Sequence, residues 1–267
     1  MAAGCTAGGG SSHSPSTPAS SGAPPAAVSP ARAITLAASR AQQVTSFTAT
    51  LNVQATGSGK LTMAGSMSVR TKPTLYTDAD FSTLSVSGQV VPGGMEEILT
   101  GNAVYVKLAL LSQLSGGKQW IEIPFSELQQ ASGVNLSQLI QQLEGSNPLD
   151  QTQMLGAARD VRKVGTDTID GVPTTHYTGS FPVSAGLAML PAALRKSVEQ
   201  QYKGASTVNF DVWLDAQQQV RRIITAEQNG SGRQATTINI TGINNPVTAS
   251  LPPAGEVASV PSGALGG

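Results

Sequence analysis

The most restrictive feature of this sequence is an alternation of apolar and polar residues that recurs in several separate segments. In "SFTATLNVQA", every second residue from Phe47 to Ala55 is apolar, and the same period returns after the turn "GSGK" and again near the end of the chain. Because successive side chains of a β-strand point to opposite faces, each such segment predicts a strand with one apolar face. The chain is therefore expected to build an antiparallel sheet whose apolar face is covered by other elements.

Seven segments carry this alternation, and the first two are expected to pair as a hairpin. Turns are predicted at "DAQQQ" and "NGSG" in the last part of the chain. The predicted inward residues are Phe47, Ala49, Leu51, Val53 and Ala55; Leu61, Met63, Met67 and Val69; Leu75, Ala79 and Phe81; Leu84, Val86 and Val90; Val104, Val106 and Leu108; Val208, Phe210, Val212 and Leu214; and Val220, Ile224 and Ala226.

Helical spacing predicts the covering elements. A first helix is expected after Ser29, which can cap it, with Pro30 in the first position. Further helices are predicted after Asn135 and Asn147, and Pro191 either kinks a later helix or marks its start. Their apolar stripes are Ile34, Ala38, Ala41 and Val44; Leu136, Leu139, Ile140 and Leu143; and Leu187, Leu190, Leu194 and Val198.

Composition divides the 267 residues into three parts. Residues 6–28 are almost entirely Gly, Ser, Thr, Pro and Ala, and such a stretch buries too little apolar surface to fold. We therefore expect a flexible tether over 1–28, one folded domain over 29–251 and a flexible tail over 252–267. The aliphatic layer between sheet and helices is compatible with either a solid core or the wall of an apolar pocket.

Charge and residue types exclude several classes of function. The 16 basic and 16 acidic residues balance, so no nucleic-acid partner is expected. A single cysteine cannot form an internal disulfide, and one cysteine with two histidines leaves too few ligands for a zinc site. We expect no metal and no cofactor.

No catalytic constellation emerges from the motifs, and the protein is not expected to be an enzyme. His176 is the only histidine in the predicted domain, and its strand position favours a structural role over a catalytic triad. Asp78 and Asp80, like Asp211 and Asp215, are expected on a solvated outer face. Trp120 and Trp213 are compatible with either a ligand-binding role or packing at strand edges.

The lone cysteine has a different explanation. The residues "AAGC" ahead of the Gly/Ser/Pro-rich stretch resemble a bacterial lipobox, although Ala2 stands where that motif usually has leucine. The resemblance implies a precursor with a signal peptide, cleaved so that Cys5 becomes the lipid-modified N-terminus. The protein is then expected on the extracytoplasmic face of the cell membrane, held by its lipid anchor.

The order of several motifs is similar to that of the actinobacterial lipoprotein family of LppX, LprG, LprA and LprF. These motifs are "SFTATLNV", "GNAVYVKL", "KQWIEI", "VGTDTIDGVPTTHYTG" and "VWLDAQQQVRRI" followed by "INNPV". The resemblance implies an α+β fold of the LolA/LolB type, a curved antiparallel half-barrel with helices packed on its concave face. It also implies a cavity for the acyl chains of lipids or glycolipids, and a role as carrier or chaperone for envelope lipids. Such a role is compatible with a transporter of the cell envelope as a protein partner, but the sequence does not identify one.

Strand and helix periodicity supplies the candidate cavity residues, since the resemblance transfers none beyond Cys5. They are Leu51, Val53, Leu61, Met63, Met67, Val69, Leu84, Val86, Val104, Val106, Leu139, Leu143, Leu190 and Leu194. Two alternatives remain at this point. One is a cell-surface structural or sensory module with a solid core that recruits a protein partner, and the other is a hydrolase that uses His176.

Overall fold

The computed structural model describes residues 28–57, 60–111, 115–132, 148–230 and 232–260, together with Met1 and Gly4. Cys5, most of the predicted tether, and the predicted helix carrying Leu139 and Leu143 lie outside the described residues. So does the end of the predicted tail, from 261 onward. No described helix is both long enough and apolar enough to cross a membrane.

Thirteen strands of the described residues form one sheet. In chain order they are β1 (Ser46–Ala55), β2 (Leu61–Arg70), β3 (Tyr76–Val86), β4 (Gln89–Val90), β5 (Met95–Leu99), β6 (Ala103–Lys107), β7 (Trp120–Pro124), β8 (Arg159–Ile169), β9 (Val172–Pro182), β10 (Ala205–Leu214), β11 (Val220–Asn229), β12 (Gly232–Ile243) and β13 (Val257–Ser259).

The strand order is β13-β7-β6-β5-β3-β2-β1-β12-β11-β10-β9-β8, with β4 paired to β3. Every pairing is antiparallel except that of β13 with β7. The sheet is strongly curved and does not close into a barrel. The predicted fold class, a curved antiparallel half-barrel, is confirmed.

Five α-helices are described: α1 (Pro30–Ala41), α2 (Phe125–Ser132), α3 (Pro148–Gln151), α4 (Val183–Met189) and α5 (Ala192–Gln201). As predicted, Ser29 caps α1, its Oγ accepting a bond from the Arg32 backbone N–H at 3.4 Å. Pro191 separates α4 from α5, because its ring cannot continue a helix. A 3₁₀ segment, Thr152–Ala157, follows α3.

The main core lies between the concave face of the sheet and these helices. Phe47, Ala49 and Val69 on the central strands pack with Ile34 of α1 and Leu190 at the end of α4. Two smaller apolar clusters lie around β5, β6 and β7, one on each face, and they include Tyr76 of β3 and Phe125 of α2. Tyr76, Ile98 and Trp120 form the convex one, whereas Leu99, Val104 and Phe125 form the other.

The C-terminal segment differs from the predicted flexible tail. The chain crosses the convex cluster, where Val247 and Val257 pack against it, and residues 257–259 then form β13 beside β7. The Tyr76 hydroxyl donates to the Ser250 carbonyl oxygen at 3.1 Å. Composition alone did not predict this segment, because its order depends on an aromatic surface supplied by distant strands.

Candidate functional site

An open cavity of about 430 Å³ lies between the concave face of the sheet and the helical layer. Its sheet wall comes from four adjacent strands, β1, β2, β11 and β12, together with Phe181 of β9. Its opposite wall comes from α3, the 3₁₀ segment and the end of α5. The lining residues are Leu51, Val53, Leu61, Met63, Met67, Gln151, Thr152, Leu155, Phe181, Gln201, Tyr202, Ile223, Thr225, Glu227, Gln234, Thr236 and Ile238.

The apolar part of the wall follows from the register of β1 and β2. Val53 lies opposite Met63, and Ala49 lies opposite Met67, so alternate residues of both strands face the helices. Leu51 and Leu61 extend the same surface. Unbranched methionine adapts to contacts of irregular shape, so this wall suits a flexible apolar ligand.

Another part of the wall is polar and crosses from the Glu227 end of β11 and the Gln234 end of β12 to the helices, whereas Ile223 and Ile238 of the same strands extend the apolar part. Thr225 and Glu227 face the cavity from β11. Across it, the Gln151 amide donates to the Gln201 Oε1 atom at 2.9 Å, and the Tyr202 hydroxyl donates to the Gln151 Oε1 atom at 3.3 Å. The cavity therefore has distinct apolar and polar ends.

Glu227 is the carboxyl of this polar end. Only 4% of the residue is exposed, and its Oε2 atom has no hydrogen-bond partner among the described residues. Burial raises the pKa of Glu227 to about 7, although a hydrogen bond from Gln234 opposes the shift. Burial also raises the pKa of Tyr202 above its usual range, and the nearby Glu227 charge adds to that shift.

Comparison with known proteins places this geometry in a known fold. The structure of LprF from Mycobacterium bovis covers 84% of this chain and 96% of its own, at 14% identity and a TM-score of 0.51. The protein has the LprF fold. The Mycobacterium tuberculosis lipoprotein LppX covers 83% of the chain and 98% of its own, with 21% identity and a TM-score of 0.46. The LprF comparison confirms the predicted resemblance at the level of the fold.

Sequence relatives are partial matches. A protein of the rplA–rplJ intergenic region of Streptomyces griseus is 33% identical over 107 residues, covering 38% of this chain. A Streptomyces coelicolor protein, named as a candidate lipoprotein, is 23% identical over 165 residues, covering 61%. The matched parts span only 35% and 50% of these relatives' own lengths. No protein-family model matches the chain.

Within this LprF fold, the predicted cavity residues occupy several different environments. Leu51, Val53, Leu61, Met63 and Met67 line the cavity. Val69, Leu190 and Leu194 are buried, the first two in the main core. Val104 and Val106 lie with Phe125 in the separate cluster on β5–β7, and Leu84 is half-buried on β3. Leu139 and Leu143 fall outside the described residues, and contact with lipid stays a prediction for all fourteen.

Val86 differs most from its predicted inward position, because it is 49% exposed at the end of β3. It pairs with Leu61 and begins the tight turn to the two-residue strand β4. Val90 on β4 is 76% exposed. Val86 thus lies on the apolar face that the alternation predicts, but no covering element buries the end of the β3–β4 hairpin among the described residues.

Sequence reasoning missed the polar end because it assigned the wrong face to β11. Ile224 and Ala226 were predicted to point inward, whereas Ile223 pairs with Val212 and Ile238 on the concave face. A register shift between Trp213 and Leu214 reverses the alternation after Val220. The inward positions are consequently Ile223, Thr225 and Glu227, and their polarity gave no sign of burial.

His176 lies on the convex face, away from the cavity. Its Nε2 atom is 2.8 Å from the Asp211 Oδ1 atom, and its ring stacks on Trp213 with centroids 4.1 Å apart. Arg222 covers the same indole at 5.6 Å from the ring centroid. The imidazole thus packs in a stack that spans three strands, β9, β10 and β11, and this is the structural role that was predicted for His176.

Asp215 corrects another prediction, since only 3% of it is exposed. Its Oδ2 atom accepts a bond from the Arg221 Nε atom at 2.8 Å, and its Oδ1 atom accepts from the backbone N–H groups of Gln217 and Gln219. The carboxylate thus organises the predicted turn between β10 and β11. Asp78 and Asp80 are exposed, as predicted, and the described residues contain no group of three potential metal ligands.

Proposed function

We propose that this protein is a lipid-anchored envelope lipoprotein that binds acyl chains in the cavity and carries them as a non-enzymatic chaperone. The observation that supports the proposal is the apolar cavity of about 430 Å³ between sheet and helices. This volume lies in the range of roughly 300–1,000 Å³ typical of small-molecule sites. A module that only recruits a protein partner has no need of such a space in its core.

The energetics of the wall support the same ligand class. Leu61, Met63 and Met67 are only half-buried, although they point toward the helical layer. An acyl chain lying against them removes apolar surface from water, which contributes about 25 cal/mol for each Å² buried. The protein therefore gains stability from an apolar occupant without any chemical step.

The decisive test of lipid binding is Met67→Trp. An indole at this position fills part of the cavity, so we expect delipidated protein to keep or raise its melting temperature while bound lipid is lost or shortened. Native mass spectrometry before and after lipid extraction counts the bound lipid, and thermal melts follow stability.

Met189→Trp is the matched control, because Met189 is 47% exposed and does not line the cavity. It should leave the lipid content unchanged. If Met67 instead faces a filled core, Met67→Trp costs about 1–3 kcal/mol through overpacking. A lower melting temperature with unchanged lipid content would show that this wall is not a binding surface.

A further inference from the structure

The polar end of the cavity contains the carboxyl group of Glu227, and a purely apolar ligand offers no hydrogen-bond donor to this group. Glu227 lies on the concave face opposite Gln234 on β12 and Val208 on β10. Its Oε2 atom is buried in the cavity wall without a hydrogen-bond partner among the described residues. A buried acceptor without a donor is unfavourable, so the position is explained best if a ligand supplies that donor.

The groups around Glu227 indicate a neutral donor. The cavity wall contains the side-chain amides of Gln151, Gln201 and Gln234, and hydroxyl groups such as those of Thr225 and Tyr202. No lysine, arginine or histidine contributes to this wall within the described residues. A phosphate head group would therefore meet a carboxyl and no compensating cation.

We propose that Glu227 binds a free hydroxyl group of the ligand, so that the preferred cargo is a neutral lipid whose head group carries an alcohol. The proposal rests on the proposed function, since the acyl chain lies along Met63 and Met67 while the hydroxyl reaches β11. A hydroxyl both donates and accepts, so it pairs with the carboxylate and also with the protonated acid. An ammonium group only donates hydrogen bonds, so its pairing with Glu227 requires the ionised form of the carboxyl group.

Three single-chain probes of equal chain length test this assignment: hexadecanol, hexadecyl methyl ether and hexadecylamine. Their affinities for delipidated protein are measured by displacement of a fluorescent fatty-acid probe. We expect the alcohol to bind about tenfold more tightly than the ether, since a hydrogen bond to a charged or buried polar group is worth about that factor. The amine should bind no more tightly than the alcohol.

Glu227→Met removes both carboxyl oxygens at similar length and should reduce the alcohol-to-ether ratio to about one, with ether affinity retained or improved. Glu199→Gln is the matched control, because Glu199 is exposed on α5 and does not line the cavity. It should keep the tenfold ratio. If the methionine variant does not fold, the ratio in the native protein still tests the preference for a hydroxyl, and Glu227→Gln, which removes the carboxylate at the same length, then tests the role of Glu227.

Each contrary result has a distinct meaning. Equal binding of alcohol and ether to the native protein overturns the hydroxyl assignment but leaves acyl-chain binding intact. Tighter binding of the amine overturns it in favour of a cationic head group, and a tenfold ratio that survives Glu227→Met removes Glu227 from the role. Failure of all three probes to bind overturns the proposed function, and this assignment with it.

Discussion

At the level of single residues, two buried carboxyl groups of the sheet have opposite surroundings. Asp215 accepts bonds from Arg221 and from two backbone N–H groups, so its charge is compensated where it is buried. Glu227 is just as buried, but its Oε2 atom has no donor among the described residues. The first carboxyl fixes a turn, whereas the second lowers the stability of the empty protein whenever it is ionised.

This difference predicts a pH-dependent effect of Glu227→Gln. Burial raises the pKa of Glu227 in the folded state from 4.5 to about 7. Below pH 4.5 both states are protonated and no stability is lost, but as pH rises toward 7 the unfolded chain ionises first and the folded state loses stability. We expect the variant to be more stable than the native protein by about 2 kcal/mol at pH 8, and equal to it near pH 4.

Chemical denaturation of delipidated protein between pH 4 and pH 8 measures this difference. Among the residues that the structure describes, the other titratable group facing Glu227 is Tyr202, whose pKa is raised well above this interval. Glu97 also lies on the concave face, and burial raises its pKa. Because Glu97 is present in both proteins, its contribution to the pH dependence of stability cancels in the comparison. Two stability curves that stay parallel across the interval would contradict the buried position of Glu227.

At the level of elements, irregularities in the strands decide which face each residue occupies. A register shift separates Ala64 from Ser66 on β2, and Gly65 lies at this shift against the backbone of β3. A Cβ atom at Gly65 would overlap the Asp80 carbonyl oxygen and the Phe81 Cα atom. Only glycine allows this approach of the two strands, which bends the wall of the cavity.

Gly65→Ala is therefore expected to destabilise the protein by about 1–3 kcal/mol, because the backbone of β3 must move. Gly165→Ala on β8 is the matched control, since nothing lies within 4 Å of a Cβ atom there. Alanine at that strand position should be neutral or slightly stabilising. Thermal melts of both variants compare them, and an unaffected Gly65→Ala protein would contradict the close approach of β2 and β3.

The regular elements were predictable from the sequence, whereas their irregularities were not. Alternation predicted the β1–β2 hairpin and five residues that line the cavity, and Ser29 with Pro30 predicted the start of α1. The shift beside Leu214 could not be predicted, because one extra residue reverses the faces without changing composition. The polar end was missed for this reason, since Thr225 and Glu227 have the composition of a solvated face.

At the level of the whole molecule, the C-terminal segment joins two distant parts of the chain. The Arg70 Nη1 atom donates to the Val247 carbonyl oxygen at 3.0 Å, and Lys118 bonds to the Gly255 carbonyl oxygen. Val257 packs beside Trp120 on the convex face. The segment thus covers the aromatic surface of the half of the sheet that lies away from the cavity.

Truncation after residue 246 is expected to lower the free energy of unfolding by about 2 kcal/mol or more, because Val247 and Val257 no longer cover the convex cluster. Truncation after residue 260 is the control, since it keeps every contact described for this segment. Denaturant titrations measure both. Equal stability of the two truncated proteins would show that residues 247–260 do not stabilise the domain.

The proposed lipid anchor at Cys5 determines where the whole protein is located. In cells that process the exported precursor, we expect Cys5→Ser to move the protein from the membrane fraction to the soluble fraction. Two acyl chains anchor a protein stably where one does so only marginally, and a diacylglyceryl group supplies two. Thr6→Ser is the neighbouring control, and retention of Cys5→Ser in salt-washed membranes would exclude this anchor.

The pairing of β1 with β12 imposes an order on folding. The Thr48 and Thr241 hydroxyl oxygens lie 2.9 Å apart in space but 193 positions apart in the chain. Contacts between such distant segments form slowly, because a long loop must close first. We therefore expect the β1–β2 hairpin, which forms from local contacts, to precede the docking of β12 that completes the cavity wall. The cavity wall is thus completed only when the end of the chain docks on the sheet, and we expect the proposed acyl chain to bind after that step.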